Sequence, residues 1–80
     1  MIKVRLKVFG PLRDILPESV LELPASLSGD ALYSQLSSRH PELAKWRSSV
    51  RLAVNCEYVD FARMLNDNDE VGLIPPVSGG

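Results

Sequence analysis

A chain with one cysteine and one histidine has few ways to do chemistry with its own side chains. The lone cysteine, Cys56, excludes an intrachain disulfide framework and a zinc site of the CxxC type, and points to a reducing, cytoplasmic setting. The lone histidine, His40, stands against Pro41 at the end of a helical stretch and reads as a cap or surface residue. There is no P-loop and no GxGxxG, so any nucleotide has to be held by another protein. No apolar run approaches the length of a membrane span, and Met1-Ile2-Lys3-Val4-Arg5 lacks the apolar centre of a signal peptide. A net charge of -1 leaves no footprint for nucleic acid or an anionic membrane. We therefore expect no bound metal, no nucleic-acid partner and no membrane contact.

What is present is ordinary for a soluble globular chain, with 45% hydrophobic and 24% charged residues. Eighty residues make one domain, spanning 1–80, with 75–80 as an extended tail. A core this small buries only about 60–65% of the unfolded surface, so a deep substrate pocket is not expected. If the chain takes part in a reaction, a partner supplies most of the active site.

Ile2, Val4, Leu6 and Val8 alternate with Lys3, Arg5 and Lys7, which predicts a strand with one solvated, basic face. Gly10-Pro11 ends it, and Leu12 to Leu16 predict one helical turn before Pro17. Ser19 to Leu23 read as a second strand. Ser28 is a suitable N-cap, with Asp30 in the first turn, for a helix carrying Leu32 and Leu36 flanked by Ala31 and ending at His40-Pro41. Pro41 to Trp46 predict a further turn. Val50 to Val54 read as a third strand, Asn55-Cys56-Glu57 as a tight turn, and Tyr58-Val59 as a short returning strand. After the turn cluster Asn66-Asp67-Asn68-Asp69, Glu70 to Ile74 form the last strand, with Val71 and Leu73 on one face and Ile74 on the other. This order predicts an α+β roll, a mixed sheet of about five strands on one main helix. The first and last strands lie parallel in it, and the tail projects from the sheet's edge.

Side-chain chemistry finds little support. Cys56 has no lysine, arginine or histidine beside it in sequence to activate a thiolate. Asp67, Asp69 and Glu70 lack the spacing of an EF-hand loop and read as a solvated turn. The end of the chain is different. Pro75-Pro76 stop the strand, because they cannot donate to a ladder, and Val77-Ser78-Gly79-Gly80 follow in an extended arm. Two terminal glycines place a carboxylate on backbone with no side chains, suited to threading a narrow channel. A Gly-Gly end by itself fits a frayed terminus equally well.

Three segments decide the matter. Phe9-Gly10-Pro11-Leu12-Arg13-Asp14, Arg39-His40-Pro41-Glu42-Leu43, and Asp69-Glu70-Val71 leading into Pro75-Pro76-Val77-Ser78-Gly79-Gly80 together resemble the small, sulfur-carrying subunit of molybdopterin synthase, the MoaD family. The resemblance runs from end to end. It implies the ubiquitin-like β-grasp fold and a sulfur carrier whose reacting atom is the C-terminus of Gly80. An E1-like (MoeB-like) adenylyltransferase using ATP forms an acyl-adenylate there, and a sulfurtransferase or equivalent source converts it to a thiocarboxylate. The large subunit (MoaE-like), in a heterotetramer with two copies of each chain, receives the tail and binds cyclic pyranopterin monophosphate, which becomes the dithiolene of molybdopterin. No cofactor is bound by the carrier itself. By the same correspondence, Pro75, Pro76, Val77, Ser78 and Gly79 thread the channel. Phe9, Tyr58 and Ile74 present apolar side chains to partners, and Arg13 helps dock the activating enzyme.

Two positions depart from the family pattern. Cys56 stands where a glycine commonly follows the hairpin asparagine, and Asn68 where a glycine separates two aspartates. Asparagine tolerates positive φ, so the second turn is expected to survive; cysteine tolerates it less well, which leaves the first hairpin open. Three other readings share the tail: a thiamine-pathway (ThiS-like) sulfur carrier, a carrier for another thiolation pathway, and a ubiquitin-like modifier joined to lysine through Gly80. A plain interaction domain with an inert end is a further alternative.

Overall fold

The computed structural model describes residues 1–76. The alternating residues of the first strand, β1 (Ile2–Val8), bury Val4, Leu6 and Val8 and leave Lys3, Arg5 and Lys7 exposed. A 3-10 turn over Gly10–Asp14 sinks Leu12 into the core. There follow β2 (Ser19–Leu23), the helix α1 (Gly29–Arg39), the short helix α2 (Glu42–Trp46), β3 (Arg51–Val54), β4 (Glu57–Val59) and β5 (Glu70–Ile74). The described strands form one sheet in the order β2-β1-β5-β3-β4, with β1 and β5 parallel and the other neighbours antiparallel. This is the β-grasp arrangement expected from the element order.

The core lies between the sheet and the helices, where Leu32, Tyr33, Leu36 and Leu43 meet Val4, Leu6, Val8, Leu52, Val71 and Leu73. Ser28 caps α1 as expected, its hydroxyl accepting the Ala31 N–H at 3.1 Å. The apolar stripe of α1 differs from the expected one. Ala31 is exposed, and Tyr33 takes the inner position, donating its hydroxyl to the Leu43 carbonyl at 2.6 Å. That bond ties α1 to α2 and satisfies a phenol that burial would otherwise leave unpaired.

The tail also departs from expectation. β5 lies in the middle of the sheet, between β1 and β3, so Pro75 and Pro76 leave from a central strand and not from the sheet's edge. The parallel pairing with β1 puts the exit at the same end of the sheet as the turn that follows Val8.

The hairpin left open by Cys56 keeps its tight geometry. Asn55 and Cys56 both have positive φ, 52° and 69°, the pattern of a two-residue type I′ turn. Neighbouring groups hold it in place. The Asn55 amide donates to Asp69 Oδ1 at 2.9 Å and its carbonyl oxygen accepts the Glu70 N–H at 3.0 Å. Asn68 adopts φ 70°, as expected of the residue standing in for glycine. Asp69, 8% exposed, also accepts the Asn66 N–H at 2.7 Å, while Asp67 accepts the Lys3 N–H at 2.7 Å. Asp69 thus closes its own turn and Asp67 ties that turn to the start of β1, so both carboxylates have structural partners.

Candidate functional site

Alternation sends every second residue of each strand to the face away from the helices. On that face the registers line up Lys7 of β1, Gly72 of β5, Ala53 of β3 and Tyr58 of β4 in one row. The middle two are small, so the row dips. Phe9 and Ile74 border the dip on one side and Cys56 and Glu70 on the other, enclosing a hollow of about 180 Å³. Phe9 is 41% and Tyr58 65% exposed, two aromatic side chains gathered at one hollow.

The structure therefore brings together Phe9, Tyr58 and Ile74, three of the four residues expected to meet partners. Arg13 does not join them: it stands on the 3-10 turn, its Nε donating to the Val8 carbonyl at 3.4 Å. Pro75 and Pro76 line a second concavity with Ser48, Ser49, Arg51, Tyr58 and Ile74, so Tyr58 and Ile74 belong to both. The apolar hollow and the base of the tail thus form one continuous surface. Val77, Ser78, Gly79 and Gly80 lie outside the described residues.

Sequence reasoning missed the floor. Gly72 and Ala53 are what make the face concave, and the signal was a glycine inside the otherwise apolar run Val71-Gly72-Leu73-Ile74. An isolated glycine within a strand often marks a close approach by something else. Here the approach is no closer than ordinary contact, a Cβ built at Gly72 lying 3.5 Å from Phe9 Cε2, so the glycine deepens the face without being required by its neighbours. At the rim, Lys7 Nζ and Glu70 Oε1 are 3.6 Å apart. Both are partly solvated, so the pair adds little stability but gives the hollow a charged border.

The arrangement is built for binding. Cys56 Sγ lies 3.8 Å from Glu70 Oε2, and a carboxylate is not the cationic setting in which reactive thiols occur. Among the described residues no group of three or more His, Cys, Asp or Glu could hold a metal, and no helix is long and apolar enough to cross a membrane. The described side chains supply an apolar concave face beside Pro75 and Pro76.

The model of the ThiS family matches residues 6–80. The molybdopterin synthase sulfur carrier subunit of Mycobacterium tuberculosis is 35% identical over 83 residues, an alignment that covers 100% of both chains. A putative molybdopterin converting factor subunit 1 from Pyrococcus furiosus superimposes with a TM-score of 0.83 at 30% identity, over 96% of this chain and 100% of that one. The fold is also shared, with a TM-score of 0.73 at 24% identity, by a chain in the complex of subunits 1 and 2 of the Helicobacter pylori molybdopterin-converting factor; 99% of this chain and 100% of that one are covered.

Proposed function

The chain belongs to the ThiS family, and from that premise we propose that it is the sulfur carrier subunit of a molybdopterin synthase. The observation that carries the reading is the joining of two features at one end of β5. Pro75 and Pro76, followed in sequence by Val77-Ser78-Gly79-Gly80, leave the strand where an apolar hollow opens beside it. Full-length similarity to the mycobacterial carrier subunit supports it.

The chemistry sits at Gly80. A carboxylate is a poor acyl donor, so an E1-like enzyme first joins it to AMP from ATP, releasing pyrophosphate. A persulfide sulfur then attacks the acyl carbon and AMP leaves. A thiol cleaves the S–S bond, leaving the thiocarboxylate on Gly80 and a disulfide on the donor side. The thiocarboxylate sulfur is polarizable and largely ionised at neutral pH, a better nucleophile than the oxygen it replaced. Inside the large subunit it is delivered to cyclic pyranopterin monophosphate, two sulfurs in turn making the dithiolene. The carrier's own residues position this atom. Phe9, Tyr58 and Ile74 dock on the large subunit, Pro75 and Pro76 stiffen the arm and reduce the entropy lost on insertion, and Gly79 presents no side chain to the channel.

The test is the intact mass of the chain after incubation with ATP, the activating enzyme and a sulfur source. A gain matching sulfur in place of oxygen, localised to Gly80, is expected. An unchanged mass, with the enzyme active on another carrier, would overturn the reading. Isopeptide conjugates to lysine would point instead to a protein modifier.

A further inference from the structure

The pairing of β1 with β5 continues past its last hydrogen-bonded rung. Val8 lies opposite Leu73, Phe9 and Ile74 follow as neighbours at the hollow, and Gly10 then meets Pro75. Here the two chains part. Gly10 has φ 58°, which turns the backbone into the 3-10 turn that Leu12 closes by donating its N–H to the Phe9 carbonyl at 3.3 Å. Pro75, half-buried, continues outward toward the exposed Pro76.

A Cβ built at Gly10 would lie 3.1 Å from Pro75 Cγ, tight enough that the proline ring must give by a few tenths of an ångström. Two requirements therefore meet at one residue. The turn needs positive φ, which asparagine also accepts. The proline needs bare backbone beneath it, and glycine alone satisfies both. Pro75 is in addition the first residue of the arm, and its ring fixes φ, which leaves fewer backbone torsions there to take up a displacement.

Resting on the sulfur-carrier reading, we infer that Gly10 is a positioning residue for sulfur delivery: its bare backbone seats Pro75 and sets the direction in which the chain leaves β5. Gly10 lines neither concavity and Pro75 only the second, so the seat acts mainly on aim.

Gly10→Asn separates the two requirements, keeping the turn while placing a side chain under Pro75. Pro75→Ala removes the ring atom that the new side chain would meet. Full-length chains carrying a preformed C-terminal thiocarboxylate, made by sulfide cleavage of an intein thioester, are mixed with the large subunit and cyclic pyranopterin monophosphate. Gly10→Asn is expected to lower the saturated transfer rate about tenfold, because small misplacements of reacting atoms are costly, and to move the half-saturating concentration by no more than about twofold. In the double variant the rate returns to that of Pro75→Ala alone. A wild-type rate for Gly10→Asn, or a double variant slower than Pro75→Ala alone, overturns the seat. If the wild-type chain transfers no sulfur, the carrier reading fails and NMR judges the seat alone. Ile74 and residue-75 shifts perturbed by Gly10→Asn and relieved by Pro75→Ala support it; unperturbed or unrelieved shifts overturn it.

Discussion

Ala53 of β3 faces Gly72 of β5 across one rung of the sheet, and this pair of small residues hollows the outer face. Space for a side chain exists, since a Cβ at Gly72 would make ordinary contacts at 3.5 Å with Phe9 and 3.7 Å with Ala53. Gly72→Ala is expected to stabilise the fold by about 0.5–1 kcal/mol, mainly by restricting the unfolded chain. Gly72→Val, whose methyls occupy the floor, is expected to keep the fold and weaken binding to the large subunit about tenfold, as filling a docking hollow costs complementarity. Urea unfolding gives the stability change and calorimetric titration with the large subunit the affinity. Unchanged affinity for Gly72→Val would place the docking site elsewhere.

Phe9 and Ile74 are the aromatic and aliphatic borders of the same hollow, while Arg13 stands apart on the 3-10 turn. Buried anchors typically cost more than about 1 kcal/mol each when truncated. Phe9→Ala with Ile74→Ala is thus expected to raise the Kd for the large subunit at least tenfold. Arg13→Ala should leave that Kd unchanged and slow adenylation by the activating enzyme. If Arg13→Ala weakens large-subunit binding instead, the two partners do not divide the surface this way.

Cys56 holds φ 69° in a two-residue turn, a conformation that costs a residue with a Cβ roughly 1–2 kcal/mol. The Asn55 contacts to Asp69 and Glu70 enforce it. Cys56→Gly should therefore raise the unfolding free energy by about 1 kcal/mol, read from a shifted urea midpoint at constant m. A lower midpoint would mean that the Cys56 side chain contributes more at the rim of the hollow than its backbone strain takes away.

Much of this was legible because period and punctuation agree locally. The alternation of β1, the Ser28 cap, the His40-Pro41 stop and the acidic turn each act through near neighbours in sequence. What was not legible depends on registers between distant strands. The hollow needs Lys7, Gly72, Ala53 and Tyr58 in one row, set by pairings the chain does not announce. The exit of the arm from a central strand is likewise a fact of strand order. Tyr33 in place of Ala31 follows the helical period, since Gly29, Leu32, Tyr33 and Leu36 fall at i, i+3, i+4 and i+7; the hydroxyl's partner, the Leu43 carbonyl across the α1–α2 junction, is what periodicity does not reveal.

That bond has a measurable consequence. Tyr33→Phe leaves the buried Leu43 carbonyl without its donor, and a loss of about 1–3 kcal/mol at neutral pH is expected. Burial holds the Tyr33 phenol above its ordinary value of 10.0, with Arg47 pulling the other way. As pH rises past 10.0 the unfolded chain ionises first, so stability falls until the folded phenol ionises as well. The advantage of wild type over Tyr33→Phe should be complete below 10.0 and shrink above it. Urea unfolding of both chains across that window checks the sign; a gap that widens with alkali would refute it.

The described core begins at Val4 and ends at Leu73, before the arm starts. Removing Gly79 and Gly80 should leave the melting temperature and the urea m value unchanged, since every residue of the described core remains. Docking should persist within about threefold, because Phe9, Tyr58 and Ile74 remain in place and interface energy concentrates in such anchors. Sulfur loading should vanish, since the new terminus is Ser78, two residues short and carrying a side chain where the channel is expected to admit none. The decisive comparison is the mass of truncated and full-length chains treated side by side with ATP, activating enzyme and sulfur source. Loading of the truncated chain at the full-length rate would remove the C-terminal mechanism, whereas a stable, docking-competent but unloadable chain would separate the domain's two tasks, holding on to the partner and carrying the sulfur.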